Sequence, residues 1–367
     1  MLELVRNIKS VFKIHRIYID NTVFRLHYLF TVFILLAFCI IVTTRQYVGE
    51  PITCIQSDEI SDTMMNTYCW IHTTHSIPRA FYKEVGKDVP YPGVDSVQDE
   101  KEFRYHKYYQ WVCFVLFLQA ALFYMPRWAW KVMENGKMES ISKHLDFVIC
   151  ANENEILKKK KLLIDYIVNN AHQHQHDWYA YKYFSCELAA FINVIGQMFL
   201  MDRFFDGEFL NYGLEVLQFA ELDQKDRTDP MIRIFPRMTK CRFHKYGHSG
   251  NVELHDALCI LPLNIINEKI YIFLWFWFII LAVLTGFVLL FRIALIVCPF
   301  LRIYMFNAKY RILRIQHVHT IVRHGSIGDW FLIYLLGQNI DILLFREIVA
   351  DLATNIVTEP KEITVNA

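Results

Sequence analysis

Four stretches of this chain stay apolar for longer than a soluble core requires. Crossing about 30 Å of hydrocarbon takes roughly 20 residues in a helix. The first stretch is nearly uninterrupted from Leu29 to Val42 and is stopped by Arg45, Gln46 and Tyr47, which predicts a span over 24–44. The second opens on Tyr108-Tyr109-Gln110-Trp111-Val112 and runs on through Cys113–Tyr124. Pro126, Arg127, Trp128 and Lys131 are read as its close, giving a span over 110–128. Aromatic rings at both ends of an apolar run match the interfacial belts of a membrane helix. The third, 181–201, is less plain, because Lys182, Glu187, Asn193 and Gln197 lie in or beside it, as they would in a soluble amphipathic helix. In a membrane such side chains face other helices or a wet space, since lipid cannot solvate them. Glu187 fits either a paired packing residue or a group beside a wet cavity. The fourth, 270–298, is apolar from Ile270 to Phe291 apart from Thr285 and Gly286. Arg292 is expected to snorkel to the interface, and Pro299 to stop the helix.

The segments between the spans carry their own patterns. In residues 1–23, Leu2, Val5, Ile8 and Phe12 recur at helical spacing with basic residues between them. That pattern suits a helix lying on the membrane surface or one folded into a pore mouth. No short apolar core with a small-residue cleavage site follows, so no cleavable signal peptide is expected. The middle loop, 129–180, holds Lys158–Lys161, read as a solvated charge run rather than a lipid anchor, and His172, His174 and His176 at alternate positions. No partner ligands accompany those histidines, so no metal site is assigned. The tail, 299–367, is too apolar for a disordered segment and reads as a packed helical domain with a turn at Gly325-Ser326-Ile327-Gly328-Asp329. That turn lacks the lysine and the preceding strand of a phosphate-binding loop.

Composition narrows the function classes. Of 367 residues, 54% are hydrophobic and only 20% charged, and the formal net charge of +1 offers nothing to attract nucleic acid. Zinc-ligand spacings, dinucleotide fingerprints and hydrolase motifs are missing from the sequence. Neither an enzyme nor a cofactor is expected.

Four spans place both termini on one side. Basic residues near the span ends favour cytoplasmic termini only slightly; the cysteines are more informative. Cys54 and Cys69 lie between the first two spans, and Cys241 and Cys259 between the last two. Cysteine pairs confined to one face are the product of an oxidising compartment, so 45–109 and 202–269 are expected to be extracellular. Neither loop carries an Asn-x-Ser/Thr sequon, which leaves that face free of glycan. In the first loop, Ser57 is expected to cap a helix running through Asp58, Glu59, Asp62 and Met65 to Cys69. The second loop contains a basic, strand-like stretch, Arg237–Phe243.

Several of these segments resemble one family. The pentapeptide Tyr108-Tyr109-Gln110-Trp111-Val112 is similar to the signature of the innexins, the invertebrate gap-junction proteins. Asp20–Tyr28, Tyr68-Cys69-Trp70-Ile71, Tyr91-Pro92-Gly93-Val94 and the two cysteines per loop are similar too. The resemblance implies an all-α membrane protein of large-pore channel architecture: four transmembrane helices, two disulfide-linked extracellular loops with a little β structure, and a cytoplasmic helical domain. It implies subunits assembled around an axis as an octamer, homomeric or heteromeric, in the plasma membrane at cell junctions, docking onto the hemichannel of a neighbouring cell. It also implies a segment 1–23 folded into the pore funnel, with Leu2, Val5 and Ile8 at the entrance and membrane lipid able to move it aside.

Four cysteines allow three pairings. Cys54 and Cys259 lie nearer the spans and Cys69 and Cys241 further out. Antiparallel loops then favour Cys54 with Cys259 and Cys69 with Cys241, the pattern the innexin resemblance also implies. Asp58, Glu59 and Asp62 are candidate pore-lining carboxylates. On one helix, positions 58 and 62 share a face, although carboxylates at a helix N-terminus are also favoured by its dipole alone. The competing reading is a four-span adhesion or scaffold protein without a pore, of tetraspanin or claudin type. Such a protein would have unequal loops or a Cys-Cys-Gly or Trp-Gly-Leu-Trp element, and this sequence has neither. A transporter would show internal repeats or broken helix pairs, which are not visible.

Overall fold

The computed structural model of the chain describes residues 17–55, 60–96, 99–142, 153–171, 174–221 and 229–358. Leu2, Val5, Ile8, Asp58, Glu59 and His172, all singled out above, lie outside the described residues.

In chain order the elements are α1 Thr22–Val48, β1 Thr53–Ile55, α2 Asp62–Ile71, β2 Thr74–Ser76, β3 Arg104–His106, α3 Val112–Glu134, α4 Lys137–Ser142, α5 Glu153–Ala171, α6 Gln175–Phe204, α7 Phe209–Glu221, α8 Pro230–Ile234, β4 Met238–Tyr246, β5 Val252–Ile260, α9 Pro262–Val297, α10 Pro299–Lys309, α11 Ile315–His324, α12 Ile327–Leu336 and α13 Ile342–Thr358. Among the described residues four helices, α1, α3, α6 and α9, are long and apolar enough to cross a membrane. Their outer faces expose large apolar side chains in rows, such as Leu29, Phe33, Leu36 and Ile40 on α1. Soluble monomers rarely show patches of that extent; hydrocarbon or another subunit accounts for them. Each helix runs past the apolar run that marks it in the sequence. Helix α3 continues through Pro126 to Glu134 instead of closing at the proline, α6 begins at Gln175, and α9 begins at Pro262.

Two compact units divide the chain, with boundaries inside the four long helices. One comprises 26–124 and 192–283; the other takes the described residues up to Arg25, 125–191 and from 284 onward.

In the first unit, a single apolar core joins parts of the four long helices, with Leu35, Leu116, Phe123, Val194, Tyr271 and Phe278 among its buried members. Residues Leu26–Thr31 of α1 form a π-helical stretch. Thr31 donates its hydroxyl hydrogen to the Leu26 carbonyl at 2.9 Å and accepts from the Trp277 indole at 2.9 Å, so a wider helical turn is held by a side chain of α9. Beyond the helices lies a five-stranded antiparallel sheet in the order β1-β5-β4-β2-β3. It is built from both loops, because β1, β2 and β3 come from the first and β4 and β5 from the second. The turn at Tyr91–Val94 needs its glycine: Gly93 has φ of +84°, and a Cβ there would meet the Phe81 ring at 2.6 Å.

This sheet contains two buried histidines whose protonation opposes folding. His106 on β3 contacts Ser76 Oγ through Nε2 at 2.7 Å, and burial pushes its pKa down to about 3. Burial, with Arg242 and Lys240 nearby, lowers His75 to about 4. A histidine whose folded pKa lies below its unfolded value of about 6.5 binds fewer protons in the fold. Its effect on stability is therefore flat above that value and becomes a growing penalty as pH falls toward the folded pKa. At pH 5 the penalty from His106 alone is about 2 kcal/mol. The apparent Tm of the purified protein is expected to be lower at pH 5 than at pH 7.5, and His106→Asn is expected to flatten that slope. A melting temperature constant over this range would show that His106 titrates as it does in water.

The second unit holds charge inside apolar surroundings. Glu187 on α6 is 2% exposed and is gripped by Arg292 of α9 through two hydrogen bonds, at 2.9 and 3.1 Å. Asn21 donates to the same carboxylate at 2.7 Å and caps α1 by accepting from the Phe24 amide at 2.6 Å. Glu187 is thus a paired packing residue, and Arg292 does not snorkel: a buried partner within reach outweighs the path to the interface. Asp20 binds Arg25 and Arg127 at 2.6 and 2.9 Å. Arg302 of α10 donates to the Leu295 and Ile296 carbonyls, both at 2.7 Å, satisfying the C-terminal end of α9.

Helices α10–α13 pack as a small domain around Trp330, Phe331 and Phe345. The expected turn at Gly325–Asp329 is instead the start of α12: Ser326 and Asp329 form a reciprocal capping box. Gly328 lies so close to α6 that a Cβ would sit 2.0 Å from the backbone carbon of His176, and its amide donates to Asp177 at 2.8 Å. His176 is buried against Asp329 at 2.6 Å and His174 meets Asp177 at 3.0 Å, so each is engaged by a carboxylate. Lys160, in the middle of the lysine run, is clasped by Glu347 and Asp351 of α13 at 3.1 and 2.9 Å, so the run is not uniformly solvated.

Candidate channel-forming region

The sheet is stapled where the loops meet. Cys54 on β1 faces Cys259 on β5 in register and is bonded to it, S–S 2.06 Å. Cys69, near the end of α2, is bonded to Cys241 on β4, S–S 1.99 Å. Both bridges are buried in a cluster with Ile52, Met65, Ala257 and Leu261. Each bond therefore joins the first loop to the second, one along the sheet and one from α2 onto it.

The pentapeptide divides its side chains between two tasks. Tyr109 and Gln110 hold the end of α2. The Tyr109 hydroxyl donates to the Cys69 carbonyl at 3.4 Å, its ring packs against Trp70 at 4.8 Å, and the Gln110 amide donates to the Trp70 and Ile71 carbonyls. Tyr108 turns to the aromatic cluster of Phe204, Phe205 and Phe235, with centroids 5.5 to 6.4 Å away. Trp111 is 58% exposed, and Val112, fully buried, begins α3 within the core. These residues fix the point at which a long apolar helix joins the stapled sheet.

Of the candidate carboxylates, Asp62 alone is described. It is exposed at the first position of α2. The helix starts there because Ser61 is extended, with ψ of 137°; Ser57, expected as its cap, lies outside the described residues. Asp58 and Glu59, the other two candidates, lie outside the described residues. Ser61 makes no side-chain capping bond, which leaves the dipole as the local reason for an acid at Asp62.

Two features escaped the sequence reading. One is the Asn21–Glu187–Arg292 group, whose members lie far apart in the chain. The other is a set of ion pairs at the foot of the sheet, where Arg104 meets Glu208 at 2.6 Å, Arg233 meets Glu215, and Arg237 meets the buried Glu268 at 2.9 Å. The available signal was the density of arginines flanking the spans, which gives no partner.

Comparison with known proteins agrees with this architecture. The sequence model of the Innexin family matches residues 20–356. Innexin shaking-B of Drosophila melanogaster is 54% identical over 357 residues, covering 97% of this chain and 95% of that protein. Innexin inx2 of Schistocerca americana is 49% identical over 364 residues, covering 99% and 100%. With the family's match running from the cap of the first long helix to the last helix of the tail domain, the chain belongs to the innexin family.

Proposed function

We propose that the protein is a subunit of a gap-junction channel and hemichannel, a large pore that passes ions and small metabolites between adjacent cells. The observation that carries this reading is the family match over nearly the whole chain, including both stapled loops. In this reading the sheet and both disulfides are extracellular and both termini cytoplasmic, in the plasma membrane at cell junctions. Subunits, of one or more innexins, ring an axis as an octamer and dock onto the hemichannel of the next cell. Leu2, Val5 and Ile8 narrow the cytoplasmic entrance.

Cells expressing the chain alone are expected to take up a small dye, and paired cells to pass it to one another. Surface protein that does neither would favour the pore-free adhesion reading. In a wide pore, carboxylates repeated around the axis concentrate cations without ion specificity, because salt screens them over about 8 Å. Asp58→Asn and Asp62→Asn together, with Glu59 left in place, are expected to move the reversal potential in a salt gradient toward anions. The shift is expected to shrink at high salt. An unmoved reversal potential in conducting channels would mean that these carboxylates serve only the helix terminus.

A further inference from the structure

At the junction of β3, α3 and α6 the surface opens into a cavity of about 340 Å³. Its wall includes Lys107, Tyr108, Trp111, Phe204 and Asp206. Trp111 immediately precedes α3 and Phe204 ends α6, both helices long and apolar enough to span a membrane. Aromatic residues at such helix ends sit at the level of lipid headgroups, and so does this cavity.

Its charges are matched in an informative way. Arg104, also in the wall, is balanced by Glu208 at 2.6 Å, and His106 is bonded to Ser76. Lys107 and Asp206 remain. Both are exposed, and neither makes an ion pair within 4 Å among the described residues. Asp206 is held in a left-handed backbone conformation, φ +56°, in the turn after α6. The cavity thus offers one unpaired cation and one unpaired anion, with aromatic side chains in the same wall. An anionic ligand would satisfy the lysine and be repelled by the aspartate. A zwitterion satisfies both, and aromatic faces add attraction for an ammonium group.

An apolar track leads away from the cavity. Trp111, Phe114, Phe117 and Leu118 recur at i, i+3, i+6 and i+7 and are 58, 57, 61 and 49% exposed. That spacing makes one face of α3, with hydrocarbon as its natural cover. A ligand with a zwitterionic head and apolar tails matches cavity and track together.

We propose that this cavity seats the headgroup of a zwitterionic phospholipid, its phosphate on Lys107, its ammonium between Asp206 and the aromatic wall, and its acyl chains along the exposed face of α3. The family motif then has a second role, because Tyr108 and Trp111 line the cavity and Trp111 also begins the exposed apolar face. This assignment needs a membrane but no pore, so loss of conduction leaves it untouched.

The test uses the full-length protein in phosphatidylcholine liposomes carrying a trace of phosphatidylcholine with a photoactivatable diazirine near the headgroup. After illumination, labelled peptides are mapped. Label is expected on peptides containing 104–111 and 204–206. Lys107→Gln and Asp206→Asn are each expected to lower it roughly fivefold, equal to about 1 kcal/mol, while Lys107→Arg keeps it. Phosphatidylglycerol, which lacks the ammonium, is expected to compete poorly in the wild type and better in Asp206→Asn. Both side chains are exposed, so folding should survive, and an unchanged elution volume with both disulfides intact checks this. Labelling indifferent to both substitutions overturns the proposal, as does a Trp111 peptide cross-linked to a second copy of the chain in place of lipid.

Discussion

Arg292→Ala is expected to destabilise the protein by about 3–5 kcal/mol, the cost of leaving one buried charge without its partner. Glu187 is almost fully enclosed, and the Arg292 fork supplies two of its hydrogen bonds while Asn21 supplies a third. Removing the guanidinium leaves the carboxylate with one amide in surroundings that cannot solvate it. Arg292→Lys keeps a charge but not the fork, so it should fall between wild type and alanine. Removing both charges, as Glu187→Gln with Arg292→Met, should cost less than the sum of the single changes, because the desolvation penalty goes with the charges. The midpoint of thermal loss of the monodisperse protein, followed by fluorescence-detected size exclusion, measures these three variants and the two single changes that make up the double. If Arg292→Ala melts within a degree or so of wild type, the carboxylate is solvated and the pairing is incidental.

Losing the Cys69–Cys241 bridge should have an effect of similar size. The bond closes a loop of 172 residues, and removing a native disulfide typically costs about 2–5 kcal/mol. The two bridges are not equivalent. Cys54 and Cys259 lie on strands already paired by backbone hydrogen bonds, whereas Cys69 ties a short helix to β4. Without it, α2 keeps the Tyr109 and Gln110 bonds and the bond from the Cys54 amide to Asn66, 2.7 Å. Cys69→Ser with Cys241→Ser should therefore make the 62–71 segment the first site of limited proteolysis, ahead of any cleavage in β4 or β5. Non-reducing peptide mapping of the wild type is the companion measurement, and a Cys54–Cys69 linkage there would overturn the assignment of the bridges.

These two predictions depend on different kinds of information. The bridges involve residues whose class and loop position are visible in the chain, because oxidation leaves cysteines on one face. The ion pair does not. Glu187 and Arg292 are separated by 105 positions, and a lone arginine after an apolar run reads as an interfacial anchor. Only the approach of α6 to α9 gives it a buried partner.

The sequence by itself determined the class of the protein. Four runs of apolar residues long enough to cross hydrocarbon, a pair of cysteines in each of two loops and the Tyr108–Val112 pentapeptide are local properties, set by side-chain type and spacing. Tertiary structure decided where elements begin and what the polar residues do. Helix α3 continues through Pro126 because Arg127 and Trp130 beyond it bind Asp20 and the Ile19 carbonyl. Helix α2 starts at Asp62, and His176 and His174 are held by carboxylates instead of standing free for a metal. Hydrophobic burial is written in the pattern of a segment because it depends on how much apolar surface that segment carries. A hydrogen bond or ion pair depends on a partner within about 3 Å, and in a folded chain that partner is usually contributed by a distant part of the sequence.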